Sequence, residues 1–200
     1  MVAIVDYGSG NLRSVQKACE RLGHTAEITA DPNRVAEAGR IILPGVGAFG
    51  DAMRELRARG LEEPIIAHLR ADRPFFGICM GLQLLFETGL EGGRHAGLGV
   101  LEGDVVRFDL PAGFKVPHMG WNTVSWSGVD GARLRITDQD HFYFVHAYHA
   151  RPTDPDVVAA TTEYGGPFCS AVRRGRLFAT QFHPEKSQAA GLRLLGSFLA

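Results

Sequence analysis

No stretch of this sequence is long and apolar enough to cross a bilayer. The longest mostly apolar run, PFFGICMGLQLLF, contains a Gln and stops well short of the roughly 20 residues a spanning helix needs. Basic residues are not in surplus either: 21 Lys and Arg face 22 Asp and Glu, a formal net charge of -1, so nucleic-acid binding is not expected. Cysteine is scarce. Cys19, Cys79 and Cys169 form no CxxC and cannot all pair, which suits a reducing compartment and excludes a disulfide framework. The opening MVAIVDYGSG lacks the basic region and small-residue cleavage site of an export signal and reads as a first strand. A cytoplasmic location follows as the expectation, with no membrane partner. Repeats, low-complexity tracts and long linkers are also lacking, so residues 1–200 are taken as a single domain.

What is present alternates. VAIVDYG reads as a strand, and NLRSVQKACERLG as a helix with Leu12, Val15, Ala18, Cys19 and Leu22 at helical spacing and Gly23 as its stop. TAEIT, RIILPG and PFFGIC read as further strands, and GDAMRELRARG, PIIAHLRADR and GLQLLFETG as helices. This pattern predicts an α/β fold of three layers, with a mostly parallel central sheet and helices on both faces. Beyond GLEGGRHAGLG the chain turns to short β-rich runs: GVLEGDVVRFDL, NTVSWSG, HFYFVHAYHA, VVAATTEYGG, PFCSAVRRG and RLFATQFHPE. A β-rich C-terminal half with antiparallel strands is therefore expected, closed by a helix over SQAAGLRLLGSFLA.

One thiol stands out. In GICMG, Cys79 has a glycine two places to either side, at the junction of a strand and a helix. Ligands of parallel α/β sheets collect at the carboxyl ends of strands. The spacing is that of a nucleophile elbow with Cys in place of Ser, in which small neighbours permit a sharp turn that exposes the nucleophile. A helix starting at Met80 would aim free amide groups and its positive end at the sulfur. The competing reading is a small hydrophobe that ends a core strand, the role assigned to Cys19 and Cys169. A catalytic thiol also needs an oriented base. In ATQFHPEKS, His183 and Glu185 are two residues apart, so an extended segment puts both side chains on one side, and Glu185 could fix the tautomer of His183.

Two other patterns compete for attention. His141, His146 and His149 in HFYFVHAYH suggest a metal cluster, but on one strand His146 and His149 would point to opposite faces, and no metal site is expected. GVGAFG fits a dinucleotide-binding glycine pattern. The acidic partner is misplaced, however, because Asp72 precedes PFFGIC rather than following it. Backbone amides of the glycine-rich turn are better placed to stabilise the oxyanion formed when a thiolate attacks a carbonyl.

Taken in order, PGVGAFG, GICMGLQ and QFHPEKS resemble the class I, triad-type glutamine amidotransferases, and the resemblance spans essentially the whole chain. VDYGSGNLRSV, PHMGWN and FYFVHAYH narrow it to the branch serving histidine biosynthesis. The resemblance implies that Cys79 attacks the side-chain amide of L-glutamine, that His183 protonates the departing ammonia, and that Glu185 completes the triad. Gly45 and Gly47 would belong to the oxyanion loop, Met80 would supply the elbow's amide, and Gln83 with the segment His146, Ala147 and Tyr148 would hold the substrate. It further implies no cofactor and a (βα)8-barrel cyclase subunit as partner in a heterodimer, met by Asn11, Met119, Trp121, Tyr143 and Lys186. Ala147 departs from the Ser or Thr expected there, so a hydroxyl contact is missing. The glycines of PGVG would let the loop flip a peptide. A stand-alone cysteine hydrolase and a catalytically silent subunit are the alternatives.

Overall fold

The computed structural model describes residues 1–127 and 134–200. Gly128, the last residue of the expected run NTVSWSG, lies outside them. Four short apolar segments, β1 (Val2–Val5), β2 (Ala26–Thr29), β3 (Arg40–Gly45) and β4 (Phe75–Cys79), lie parallel in the order β2-β1-β3-β4. Between them run α1 (Leu12–Arg21), α2 (Pro32–Glu37), α3 (Phe49–Ala58) and α4 (Glu62–Arg70). Strands buried on both faces read as continuous apolar runs, which is why RIILPG and PFFGIC show no alternation.

After β4 come a single turn of helix, α5 (Met80–Gln83), then β5 (Phe86–Gly89), β6 (His95–Ala96) and β7 (Leu101–Arg107). Beyond them lie β8 (His118–Thr123), β9 (Ser125–Trp126), β10 (His141–His146), β11 (Tyr148–Pro152), β12 (Val158–Glu163), β13 (Pro167–Arg174), β14 (Leu177–Thr180) and the closing helix α6 (Gln188–Leu199). Among the described residues the main sheet continues past β4 as β14-β13-β11-β7-β5-β6, with β12 on β13 and β9 on β12. β14 is parallel to β4, whereas β13 and β11 run antiparallel to their neighbours. β8 and β10 form a separate antiparallel ribbon.

The hydrophobic core divides by face. Ala3, Val5, Ile41, Leu43 and Phe75 pack with Val35, Met53, Leu56 and Ile65 of α2, α3 and α4. Ile4, Ile42, Phe76 and Ile78 pack on the other side with Val15 and Cys19 of α1, Leu194 and Leu195 of α6, and Phe142 and Phe144 of the ribbon. Alternate residues of one strand thus serve opposite layers, giving the expected three-layer arrangement.

Two expectations are corrected, and one further helix is found. GLQLLFETG is not a helix beyond its first turn. Leu82, Leu84, Leu85 and Phe86 are all buried rather than forming one stripe, and the Leu84 and Leu85 carbonyls accept from Leu98 and Leu101 N–H groups beside β5. α2 was not foreseen, although Asp31 caps it by accepting from Asn33 N at 2.9 Å and Pro32 opens its first turn. HFYFVHAYHA is two strands in two sheets, broken at Ala147. Because of that break His146 and His149 do not point to opposite faces. Both rings pack on Phe108, with centroids 5.2 and 4.7 Å away.

Candidate active site

Cys79 ends β4 with φ 54° and ψ -103°, a conformation that L side chains rarely adopt, and is 6% exposed. Such a backbone turns sharply, and the packing around it demands the flanking glycines. A Cβ on Gly77 would come within 2.9 Å of the Gly81 carbonyl and of Ala179, and one on Gly81 would run into the Leu43 carbonyl oxygen. The elbow is therefore pressed between β3 and β14. Since α5 is only one turn long, it brings Cys79 the free amides of a helix start rather than a developed macrodipole.

The glycine-rich turn lies beside the thiol by strand register, with Gly45 opposite Cys79 in the β3–β4 pairing. Gly47 adopts φ +102°. Behind the turn, fully buried Tyr7 fills the space a Gly45 side chain would need. Burial first, and then charge on Cys79, push the Tyr7 hydroxyl well above its ordinary pKa, so it stays neutral. Glu91, absent from the candidate residues, accepts from Phe49 N at 2.8 Å and pins the end of the turn where α3 begins. It lies outside every motif, and no local signal points to it.

β14, next to β4, leads into the segment that carries the base. His183 Nδ1 and Glu185 Oε1 are 2.9 Å apart, with side chains 3% and 2% exposed. Its backbone is held by His183 N donating to the Tyr143 carbonyl at 2.9 Å. His183 Nε2 is buried with no hydrogen-bond partner of ordinary geometry among the described residues, and the Cys79 sulfur is near enough to act on the ring's ionisation. Burial opposes the imidazolium, but Cys79 and then Glu185 outweigh it and raise the His183 pKa above the usual histidine range. By contrast, burial pushes the Cys19 and Cys169 thiols up to about 11 and about 12, which leaves them inert as the sequence suggested.

A second group of amides faces the sulfur. Gln181 Nε2 donates to Cys79 Sγ at 3.6 Å, and Gln181 Oε1 accepts from Gln83 Nε2 at 3.1 Å. Gln83 Nε2 also donates to the Tyr148 carbonyl at 3.0 Å, so both its amide protons are used within the protein. The ligand-binding capacity of Gln83 thus resides in its carbonyl oxygen. Gln181 was missed, although Gln181, His183 and Glu185 share the two-residue spacing that singled out the last pair. The Ala147 carbonyl is engaged by Phe108 N at 3.0 Å.

Of the five residues expected to meet a partner, four are grouped. Met119 and Trp121 are 62% and 47% exposed on β8. Trp121 pairs with Tyr143 in register, their rings 6.0 Å apart edge to face, and Lys186 Nζ lies 5.8 Å from the Tyr143 ring centroid. Asn11 is exposed at the start of α1, without a side-chain bond to the helix it precedes. No helix among the described residues is long and apolar enough to cross a membrane.

Comparison with known proteins gives one family. The family model described as Glutamine amidotransferase class-I matches residues 3–199. The chain is 64% identical over 198 residues to the imidazole glycerol phosphate synthase subunit HisH of Rhodopirellula baltica, covering 99% of this chain and 96% of that one. It is 50% identical over 203 residues to the subunit of the same name from Syntrophotalea carbinolica, covering 99% and 98%. A crystal structure of a glutamine amidotransferase superimposes with a TM-score of 0.76 at 25% identity, covering 100% of this chain and 97% of that one.

Proposed function

Because this chain belongs to the class I glutamine amidotransferase family, we propose that it hydrolyses L-glutamine at Cys79 and delivers the ammonia to a cyclase partner. It is a glutaminase subunit of the imidazole glycerol phosphate synthase kind, and its step belongs to histidine biosynthesis. The observation that carries the assignment of roles is the strained Cys79 elbow facing a buried His183–Glu185 pair.

The geometry suits one sequence of events. The Cys79 sulfur attacks the γ-carboxamide carbon, and the electron pair of the carbonyl moves to oxygen. The Met80 amide and the Gly45 to Gly47 turn receive that oxyanion. His183, protonated and held by Glu185, gives its proton to the leaving nitrogen, so ammonia departs and a γ-glutamyl thioester remains. Water, deprotonated by His183, then releases glutamate and restores the thiol. The Gln83 carbonyl oxygen and the backbone from His146 to Tyr148 bind the amino-acid end of the substrate. Met119, Trp121, Tyr143 and Lys186, with Asn11, form the surface for the partner, a (βα)8 barrel. Ammonia passes there to an aminoimidazole carboxamide ribonucleotide intermediate, giving imidazole glycerol phosphate and AICAR. We place the complex in the cytoplasm, where free thiols persist.

The test is glutamine hydrolysis by the purified chain, alone and with the cyclase subunit and its nucleotide ligand, with Cys79→Ala as the blank. Hydrolysis that is weak alone, rises strongly with the loaded partner and vanishes in Cys79→Ala is the expected result. Full activity without the partner would identify an independent hydrolase. No activity under any condition would leave a silent subunit.

A further inference from the structure

His118 on β8 and His146 on β10 face each other in register across the ribbon, and they are 3% and 6% exposed. His118 Nδ1 lies 3.2 Å from His146 Nε2. His146 Nδ1 is 2.8 Å from the Tyr148 carbonyl oxygen, and Asn122 Nδ2 is 3.4 Å from His118 Nε2. The two ends of this chain fix the protons between them. A carbonyl only accepts and an amide nitrogen only donates, so both imidazoles carry their proton on Nδ1 and both are neutral. The orientation of Asn122 is set separately: its Nδ2 also donates to the Glu163 carbonyl at 3.0 Å, and its Oδ1 accepts from Thr123 N at 2.8 Å.

The chain continues to the thiol. The Tyr148 carbonyl that accepts from His146 also accepts from Gln83, which donates to Gln181, which donates to Cys79. At the other end, β8 alternates: His118 points inward, while Met119 and Trp121 point out. We propose that His118 is a positioning residue for glutamine hydrolysis. Through His146 it holds the Tyr148 carbonyl, and with it Gln83 and Gln181, beside Cys79, and it ties that array to the outward-facing edge of β8. This rests on Cys79 being the nucleophile.

The surroundings suit a neutral pair. His118 is stacked between Phe144 and Tyr164, with centroids 4.8 and 4.0 Å away. Phe108 and Phe168 flank His146, each 5.2 Å away. Among the described residues the titratable groups facing the pair are Tyr164 against His118, and His149 and His183 near His146. No carboxylate bonds to either ring among the described residues. Burial accordingly lowers the pKa of His118 to about 4. Burial also lowers that of His146 to about 3, against the bond to Tyr148 and with the help of the neighbouring histidines.

Long-range 1H–15N correlation of the imidazoles in the intact chain tests the proton assignment directly. Both rings are expected in the Nδ1–H form without titrating between about pH 5.5 and 8. An Nε2–H ring, or one that titrates in that range, overturns the proposal. In the complex with the cyclase subunit, His118→Phe keeps the stacking and removes the donor, and should raise the glutamine KM about tenfold with kcat changed less than about threefold. His118→Asn, which retains a donor at the δ position, should recover most of the loss. A folded His118→Phe with wild-type KM overturns the proposal, and if that variant does not fold the spectra of the wild-type chain decide. A wild-type complex that does not hydrolyse glutamine overturns the functional reading and the positioning role together. An active wild type distinguishes that result from failure of the relay alone.

Discussion

At the scale of single residues, three cysteines of one chain illustrate how surroundings decide chemistry. Cys19 and Cys169 sit in apolar packing and stay protonated, whereas Cys79 is forced by its turn to an edge where a His, a Gln and free amides converge. His183 serves Cys79 only if its ring is held, and the hold is Glu185, whose side chain is 2% exposed. Glu185→Gln preserves the size and an acceptor oxygen but removes the charge that stabilises the imidazolium. By analogy with carboxamide replacements in other triads, kcat in the partner complex should fall by roughly 10^3-fold with little change in KM. Steady-state glutamine hydrolysis measures this. A kcat within about threefold of wild type would mean that Glu185 does not orient the base.

Elements rather than residues bring the site together, and Ser187 shows how. It stands where α6 begins, yet its side chain makes no capping bond to that helix. Instead its hydroxyl accepts from Tyr143 N at 3.0 Å and donates to the His183 carbonyl at 2.6 Å, joining β10 to the segment that carries the base. Ser187→Ala would leave both groups without that partner in a site 1% exposed, and should destabilise the fold by about 2 kcal/mol, read as a lower urea midpoint at constant m. An unchanged midpoint would show that water replaces the hydroxyl. The bond to Tyr143 is not legible in a sequence, because it joins positions 44 residues apart. What is legible is local: the apolar runs of β3 and β4, the amphipathic spacing of α1, and the glycines around Cys79. His183 and Glu185 could be paired from their spacing, but nothing in the spacing says that β14 lies next to β4. The helical reading of GLQLLFETG runs past the single turn of α5 because a run buried on all sides looks the same in either conformation. The break at Ala147 is hidden because strand formers flank it on both sides, and only the pairing of β10 and β11 with different sheets reveals it.

For the molecule as a whole, the histidines link the site to the pH range in which the fold is stable. His118 and His146 have folded pKa values of about 4 and about 3, against about 6.5 in the unfolded chain. Between those limits the unfolded chain binds protons that the folded chain does not, so their contribution is complete above about pH 6.5 and is lost as the pH falls. His68 and His149, also lowered by burial, act in the same direction. His183 is raised, so its contribution is complete below about pH 6.5 and is lost only as the pH rises toward its folded value; it adds no slope on the acid side. Above about pH 5 most carboxylates remain ionised in both states, which leaves the imidazoles as the main source of any slope. At pH 5 each of the two ribbon histidines should cost about 2 kcal/mol relative to pH 6.5 or above. Urea unfolding of the isolated chain at pH 6.5 and pH 5 should therefore show a clear fall in midpoint. In His118→Phe the fall should be smaller, because one of the two proton-binding differences is gone. Equal midpoints at the two pH values in the wild-type chain would mean that these imidazoles are charged in the folded protein, which no arrangement of the bonds from Asn122 to Tyr148 would allow.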